Sequence, residues 1–414
     1  MPDPLISTEL ATEIAAAHGT PVYVYDEATL AAQVDAALAF PALFGLTVRY
    51  AMKAAPTRAL LRFFDQRGLH FDASSGYEVE RLLLAGVDAG KISLSTQELP
   101  AGFADLVRQG MVVNACSLGQ LAAFGAAFPG SEVGLRFNPG LGSGGTNRTN
   151  VGGPASSFGI WHGKVEEARK LVRTHRLKVV RIHTHIGSGS DPEVWERVAS
   201  LSLRMAEAFE TVTHFNLGGG YKVARTGDET ATNLGTIGEP VTALLRDFAA
   251  RTGRQLHFEI EPGTFLVANA GALLCRVQDT TDTGPGGYRF IKLDSGMTEI
   301  LRPSLYGAQH PIHILGKSGA EDLRPTIVVG HCCESGDILT PAPGDPEGLS
   351  PRPLQPARTG DLVLIGGAGA YCSAMSAKNY NSFPEAPEVL VRQSGQVDLI
   401  RRRQTLQQIL ANET

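Results

Sequence analysis

The stretch RYAMKAAP (49–56) sets one lysine, Lys53, at the end of an apolar, strand-like run and follows it with small residues. A lysine at a strand end can simply reach water along its alkyl stem. Three other segments set reactive or small residues at strand ends: HTHIGSGS (183–190), NLGGGYK (216–222) and EIEPGT (259–264). They supply His185 and Ser188, the triplet Gly218, Gly219 and Gly220, and Glu261 with Gly263. Taken singly, each is ordinary: a glycine triplet makes a turn, a histidine packs, a glutamate before proline lies at a surface. Together they match one ligand chemistry. An amine can capture an aldehyde. Glycine amides approach an anion closely, and a hydroxyl beside them adds a donor. An imidazole stacks on a flat ring, and a carboxylate keeps a ring nitrogen protonated so that the ring accepts electrons. Pyridoxal 5'-phosphate needs all of these.

Positioning such groups together requires strands that end on one face. Eight β-rich runs alternate with helical segments between residues ~30 and ~265, beginning with LTVRYAMK and ending with LHFEIEPG. This pattern predicts a (β/α)8 barrel, in which functional groups gather at the strand C-termini; a doubly wound open sheet is the alternative. After 265 the texture changes to short strand-like runs such as YRFIKLDSG, TIVVGH and DLVLIGG between Gly- and Pro-rich turns, which predicts an all-β domain. The early run TPVYVYD is strand-like and can join it. The expected division is a cofactor-binding barrel over 30–267 and a β-rich domain from 1–29 and 268–414 that completes the active site and a dimer interface. The Gly-, Asn- and Thr-rich loop 140–154 after the fifth strand is long enough to suggest a function.

Bulk properties narrow the class. At 414 residues, 43% hydrophobic and 19% charged, the chain reads as an ordinary soluble globular protein of two domains. A net charge of −5 argues against a nucleic-acid partner. No run is long and apolar enough for a bilayer, and the N-terminal MPDPLISTEL lacks the pattern of a secretory signal. Five cysteines without zinc-like spacing suggest a reducing, cytoplasmic setting and no metal site.

In order along the chain come TPVYVYD, YAMKA, HTHIGSG, GGGY, EPG, RPSLYGAQHPI, CESGD, GAY, NYN, PEVL and IRRRQT. In these the sequence resembles the fold type III pyridoxal-phosphate decarboxylases, and within them the bacterial diaminopimelate decarboxylases. The resemblance implies a carboxy-lyase that converts meso-2,6-diaminopimelate to L-lysine and carbon dioxide, the last step of lysine biosynthesis. It implies that Lys53 is the Schiff-base lysine, that His185 stacks on the ring and that Glu261 pairs with its nitrogen. Ser188, Gly218, Gly219, Gly220, Gly263 and Tyr371 are implied to hold the phosphate. Arg302 and Tyr306 are implied to grip the distal carboxylate of the substrate, with Tyr371 also among the substrate-binding residues. Glu334 is implied to bind the distal amine, and Cys333 to be the general acid, reaching into a neighbouring subunit's site in a homodimer. Three departures stand out. The family's EPGR reads EPGT, with Thr264; MSSNYN reads MSAKNYN, with Lys378; and SFP follows NYN in place of SRP. The lost cation at 264 keeps open a related decarboxylase acting on D-lysine or D-ornithine, unless Lys378 or Arg148 replaces the charge. A non-catalytic pyridoxal-phosphate carrier would not need Cys333, Glu334 or the whole β domain.

Overall fold

A computed structural model describes residues 3–144, 150–316 and 322–414. The chain divides into two compact units, one of residues 34–222 and 230–263, the other of residues 1–33, 223–229 and 264–414.

The first unit is a closed barrel. Its strands are β1 (Leu46–Ala51), β2 (His70–Ala73), β3 (Ile92–Leu94), β4 (Val112–Ala115), β5 (Glu132–Asn138), β6 (Lys178–His183), β7 (His214–Asn216) and β8 (His257–Ile260). Each pairs in parallel with the next, and β8 closes the ring on β1. The eight runs expected from the sequence are these eight strands. A helix follows each of β1 to β7, as a right-handed parallel barrel requires. Several start where a short polar side chain caps the first turn. Ser75, Ser117, Asp191 and Asn233 each accept a backbone N–H there.

The barrel interior is partly ionic. Glu259 on β8 takes Arg49 Nη2 at 2.9 Å and Arg181 Nε at 2.6 Å, with all three side chains nearly sealed from solvent. Alternation along β8 then points Glu261, two residues on, to the same interior side one layer higher.

The second unit is built on a nine-stranded sheet. Val22–Asp26 lies antiparallel to Gly271–Asp282 and parallel to Glu388–Val391, so the early TPVYVYD run pairs here. Helix Thr8–His18 lays Ala11, Ile14 and Ala15 on a core of Val22, Val24, Leu274, Leu364 and Val389. This is the change from helix-rich to strand-rich texture that the sequence announces after residue 265.

Candidate active site

The functional side chains of the barrel unit sit where its strands end. Lys53 falls in a single 3-10 turn, Met52–Ala54, directly after β1. Its Nζ donates to Ser74 Oγ at 3.3 Å, and the Ser74 amide donates to Glu78 Oε2 at 2.6 Å. Asp72, at the end of β2, is buried; burial first, then the nearby Glu261, raises its carboxyl well above the usual range.

Glu261 is held from two sides. His183 Nε2 lies 2.9 Å from Oε2, and Asn216 Nδ2 donates to Oε1 at 2.8 Å. Burial pushes this carboxyl up, but His183 and the hydrogen bonds outweigh it, so Glu261 stays ionised. Burial lowers the His183 pKa while Glu261 opposes that shift, and Nε2 carries the proton that faces the carboxylate. Each Glu261 oxygen retains further acceptor capacity. Asn216 also accepts the Gly218 amide through Oδ1 at 2.7 Å, which ties the carboxylate to the glycine turn.

The turn itself is tightly built. Gly218 and Gly220 have φ of 68° and 113°. A Cβ on Gly219 would collide with the Glu261 carbonyl oxygen, and one on Gly220 with that of Gly187. The neighbouring segment is pinned by Gly189 N–H to Gly220 O at 3.0 Å and by Ser188 N–H to Ser143 O at 3.1 Å. The amides of Gly219, Gly220 and Gly263 have no acceptor among the described residues. The same holds for the hydroxyl of half-buried Ser188. Gly218 also makes room for His185, whose Cβ would lie 2.9 Å from a side chain there. Burial, then Arg136 and Lys53, hold the His185 pKa well below its ordinary value, so its ring is neutral.

These groups fit pyridoxal phosphate on observations of this chain alone. Open amides and a hydroxyl suit a phosphate. A neutral imidazole suits an aromatic face, an ionised carboxylate suits a protonated ring nitrogen, and an amine suits an aldehyde.

The second unit holds the other expected residues in two groups. Arg302 and Tyr306 bracket the short helix Arg302–Tyr306, with the Arg302 guanidinium 5.9 Å from the Tyr306 ring centroid. Tyr371 adopts φ of 56°, a conformation that non-glycine residues rarely hold without a local reason. Cys333 and Glu334 form the other group and are exposed. The Cys333 amide donates to Asn381 Oδ1 at 2.9 Å, and Glu334 shares a shallow groove with Met297, Ala377, Lys378, Asn379 and Tyr380. Arg302 and Tyr306 are not part of that groove. Cys332 differs from its neighbour: burial and then Asp337 push its thiol up to about 12. Lys378 Nζ is tied to Glu385 Oε2 at 2.7 Å, and Arg148 lies outside the described residues.

Sequence reasoning passed over His183, Asn216, Asp72 and Arg136. His183 and Asn216 had a usable signal, since each lies at a strand end two residues before an expected site residue, on the same side of the strand or turn.

Residues 29–268 match the family model for the pyridoxal-dependent decarboxylase, pyridoxal binding domain. The diaminopimelate decarboxylase of Streptomyces coelicolor is 38% identical over 96% of this chain and 90% of its own length. A crystal structure of diaminopimelate decarboxylase superposes with a TM-score of 0.91 at 34% identity, covering 99% of this chain and 97% of the other. That of the Helicobacter pylori diaminopimelate decarboxylase complexed with L-lysine does so with 0.86 at 25% identity, over 97% and 98%. The match to the pyridoxal binding domain and the identity along nearly the full chain make this protein, whose barrel ends in a lysine, an ionised glutamate and open glycine amides, a member of the pyridoxal-dependent diaminopimelate decarboxylase family.

Proposed function

We propose that this protein removes the carboxyl group at the D-centre of meso-2,6-diaminopimelate, giving L-lysine and carbon dioxide, with pyridoxal 5'-phosphate as cofactor. The observation that carries the chemistry is Glu261, kept ionised by His183 and Asn216 at the barrel end that also carries Lys53 and the open glycine amides. The bound cofactor supplies an electron sink for the pair left behind when carbon dioxide departs. Lys53 would hold its aldehyde end. Gly219, Gly220, Gly263 and Ser188 would hold its phosphate, with Tyr371. His185 would pack against its ring, and Glu261 would keep the proton on its ring nitrogen.

Recognition of the substrate falls to the other unit. The Arg302 guanidinium and the Tyr306 hydroxyl bind the distal carboxylate, a planar anion that suits a two-pronged donor. Glu334 binds the distal amine. Fixing the distal end orients the bond that breaks. Cys333 gives a proton to the substrate carbon that has lost its carboxylate. Cys332 has the wrong character for this: it is buried and its thiol is pushed up. Because Cys333 and Glu334 are exposed, and Glu334 lines a groove that does not include Arg302, we assign them to the site of a second copy, which makes the working enzyme a homodimer with shared sites. Among the described residues no helix is long and apolar enough to cross a membrane. We place the enzyme in the cytoplasm, where five free thiols persist.

The test is a substrate panel on the purified holoenzyme. Meso-diaminopimelate should yield L-lysine and carbon dioxide in equal amounts, with kcat/KM at least ~10-fold above that for D-lysine. Equal efficiency, or a preference for D-lysine or D-ornithine, would overturn the substrate assignment and favour the reading that Thr264 keeps open.

A further inference from the structure

Thr264 leaves the EPG turn without the cation the family places there, and Lys378 is already bound to Glu385. A different cation stands unbalanced inside the same unit. Arg225, in the segment after GGGY, is only 7% exposed. Its Nε donates to Gly367 O at 3.1 Å. Gly367 has φ of 62°, and a Cβ there would sit 2.8 Å from Arg225 Cγ, so the glycine lets the arginine stem pass. Nη2 is sealed without a hydrogen-bond partner, and no described acceptor meets Nη1, which is not sealed. Glu229, the acidic neighbour, accepts the Arg225 backbone amide at 2.7 Å and forms no ion pair with the guanidinium.

The surroundings are cationic. Burial first, then Arg302, lowers the Arg225 pKa to about 9, while Glu229 opposes the shift. His310, 1% exposed, gives Nδ1 to the Gly366 carbonyl at 3.0 Å and has no partner for Nε2. Its pKa is held well below the ordinary value by burial, then by Arg225 and Arg302. Arg302 Nε is likewise sealed and unpartnered, and neither terminal nitrogen of Arg302 meets a described acceptor. Arg225 is thus buried and Arg302 half-buried, each close enough to depress the His310 pKa, and neither guanidinium has a described carboxylate paired to it. Buried like charges cost free energy unless an anion joins them. An anion with two oxygens, matching two forks, is the complement.

We propose that Arg225 is a second specificity-determining residue, joining Arg302 in binding the distal carboxylate of the substrate and replacing the cation absent at position 264. The inference rests on the diamino-diacid reading above and adds a residue to it. Arg225 acts on the handle of the substrate, away from the bond that breaks, so its loss should separate the two classes of substrate. Arg225→Gln removes the charge and leaves one amide donor group on a shorter side chain.

The experiment measures kcat/KM of the holoenzyme on meso-diaminopimelate and on D-lysine, with a melting temperature and the cofactor absorbance as folding controls. In Arg225→Gln, efficiency on meso-diaminopimelate should fall by about 30-fold or more, carried mainly by KM, as for loss of one member of a buried charged contact. Efficiency on D-lysine should change by less than about 3-fold, a split that a merely structural role would not produce. Arg225→Lys should retain part of the preference, because the charge remains while the fork is lost. A folded Arg225→Gln enzyme that keeps the wild-type preference overturns the assignment. Should that variant fail to fold, Arg225→Lys decides: an unchanged preference overturns the assignment, and a loss of about 5-fold or more supports it. A wild-type enzyme with no preference for the diacid refutes the substrate reading instead, before any variant is made.

Discussion

Glu261 illustrates why residue identity alone does not define the chemistry. A buried carboxylate tends to take up a proton. Here His183 and Asn216 each donate to it, so the charge survives burial. Glu261→Gln keeps the shape and removes the charge, and kcat on meso-diaminopimelate should fall by about 100-fold or more. His185 makes a prediction of the opposite kind. Its folded pKa lies well below 6.5, so its ring should show no protonation between pH 6 and 8 when followed by NMR of labelled histidine. The unfolded chain's histidine takes up a proton near pH 6.5 and the folded one does not. The unfolded state therefore binds more protons, and this group makes folding less favourable as pH falls below that value. Lys53, His185 and Glu261 were legible in the sequence because each sits at the end of a recognisable strand run. Arg225 was not: its significance comes from the absence of a described carboxylate paired with its guanidinium, which only a folded structure can reveal.

The elements explain why these groups need one another. Strand alternation puts Glu259 and Glu261 on the interior side of β8, and the lower one is neutralised by Arg49 and Arg181. Burial raises the Glu259 pKa, but the two arginines outweigh it and hold it below the usual carboxylate range. Its contribution to stability is therefore present above the unfolded pKa of about 4.3 and is lost as pH falls below it. Glu259→Gln leaves two buried guanidiniums without their carboxylate and should cost about 3–5 kcal/mol in denaturant unfolding. The glycine turn is equally constrained. Gly220→Ala meets the Gly187 carbonyl and an unfavourable φ of 113°, so the turn must shift. Cofactor titration should then give a Kd raised by about 10-fold or more, since the amides that suit the phosphate move with it. The eight barrel strands could be read from the sequence because parallel strands buried on both faces form short apolar runs. The grouping of 223–229 with the strand-rich unit could not, because a seven-residue connection carries no periodicity.

At the scale of the whole molecule, the strand-rich unit carries the residues assigned to substrate recognition and proton donation, and the barrel carries those assigned to the cofactor. If Cys333 serves the partner's site, inactive Lys53→Ala and Cys333→Ala chains should complement each other. In a random 1:1 mixture, roughly a quarter of the sites would have both wild-type groups, given two-fold symmetry, and activity should return to about that level. Subunit exchange without recovered activity would contradict shared sites. The division between barrel and β-rich texture was visible in the sequence, whereas an assembly leaves no such periodic mark and is tested only in solution. The central claim, that the barrel end is a pyridoxal phosphate site anchored by Lys53, is tested most directly by borohydride treatment of the holoprotein followed by peptide mapping. The cofactor mass should be found on the peptide containing Lys53, and Lys53→Ala should carry none. Attachment to any other lysine, or no attachment to a protein saturated with cofactor, would contradict the account.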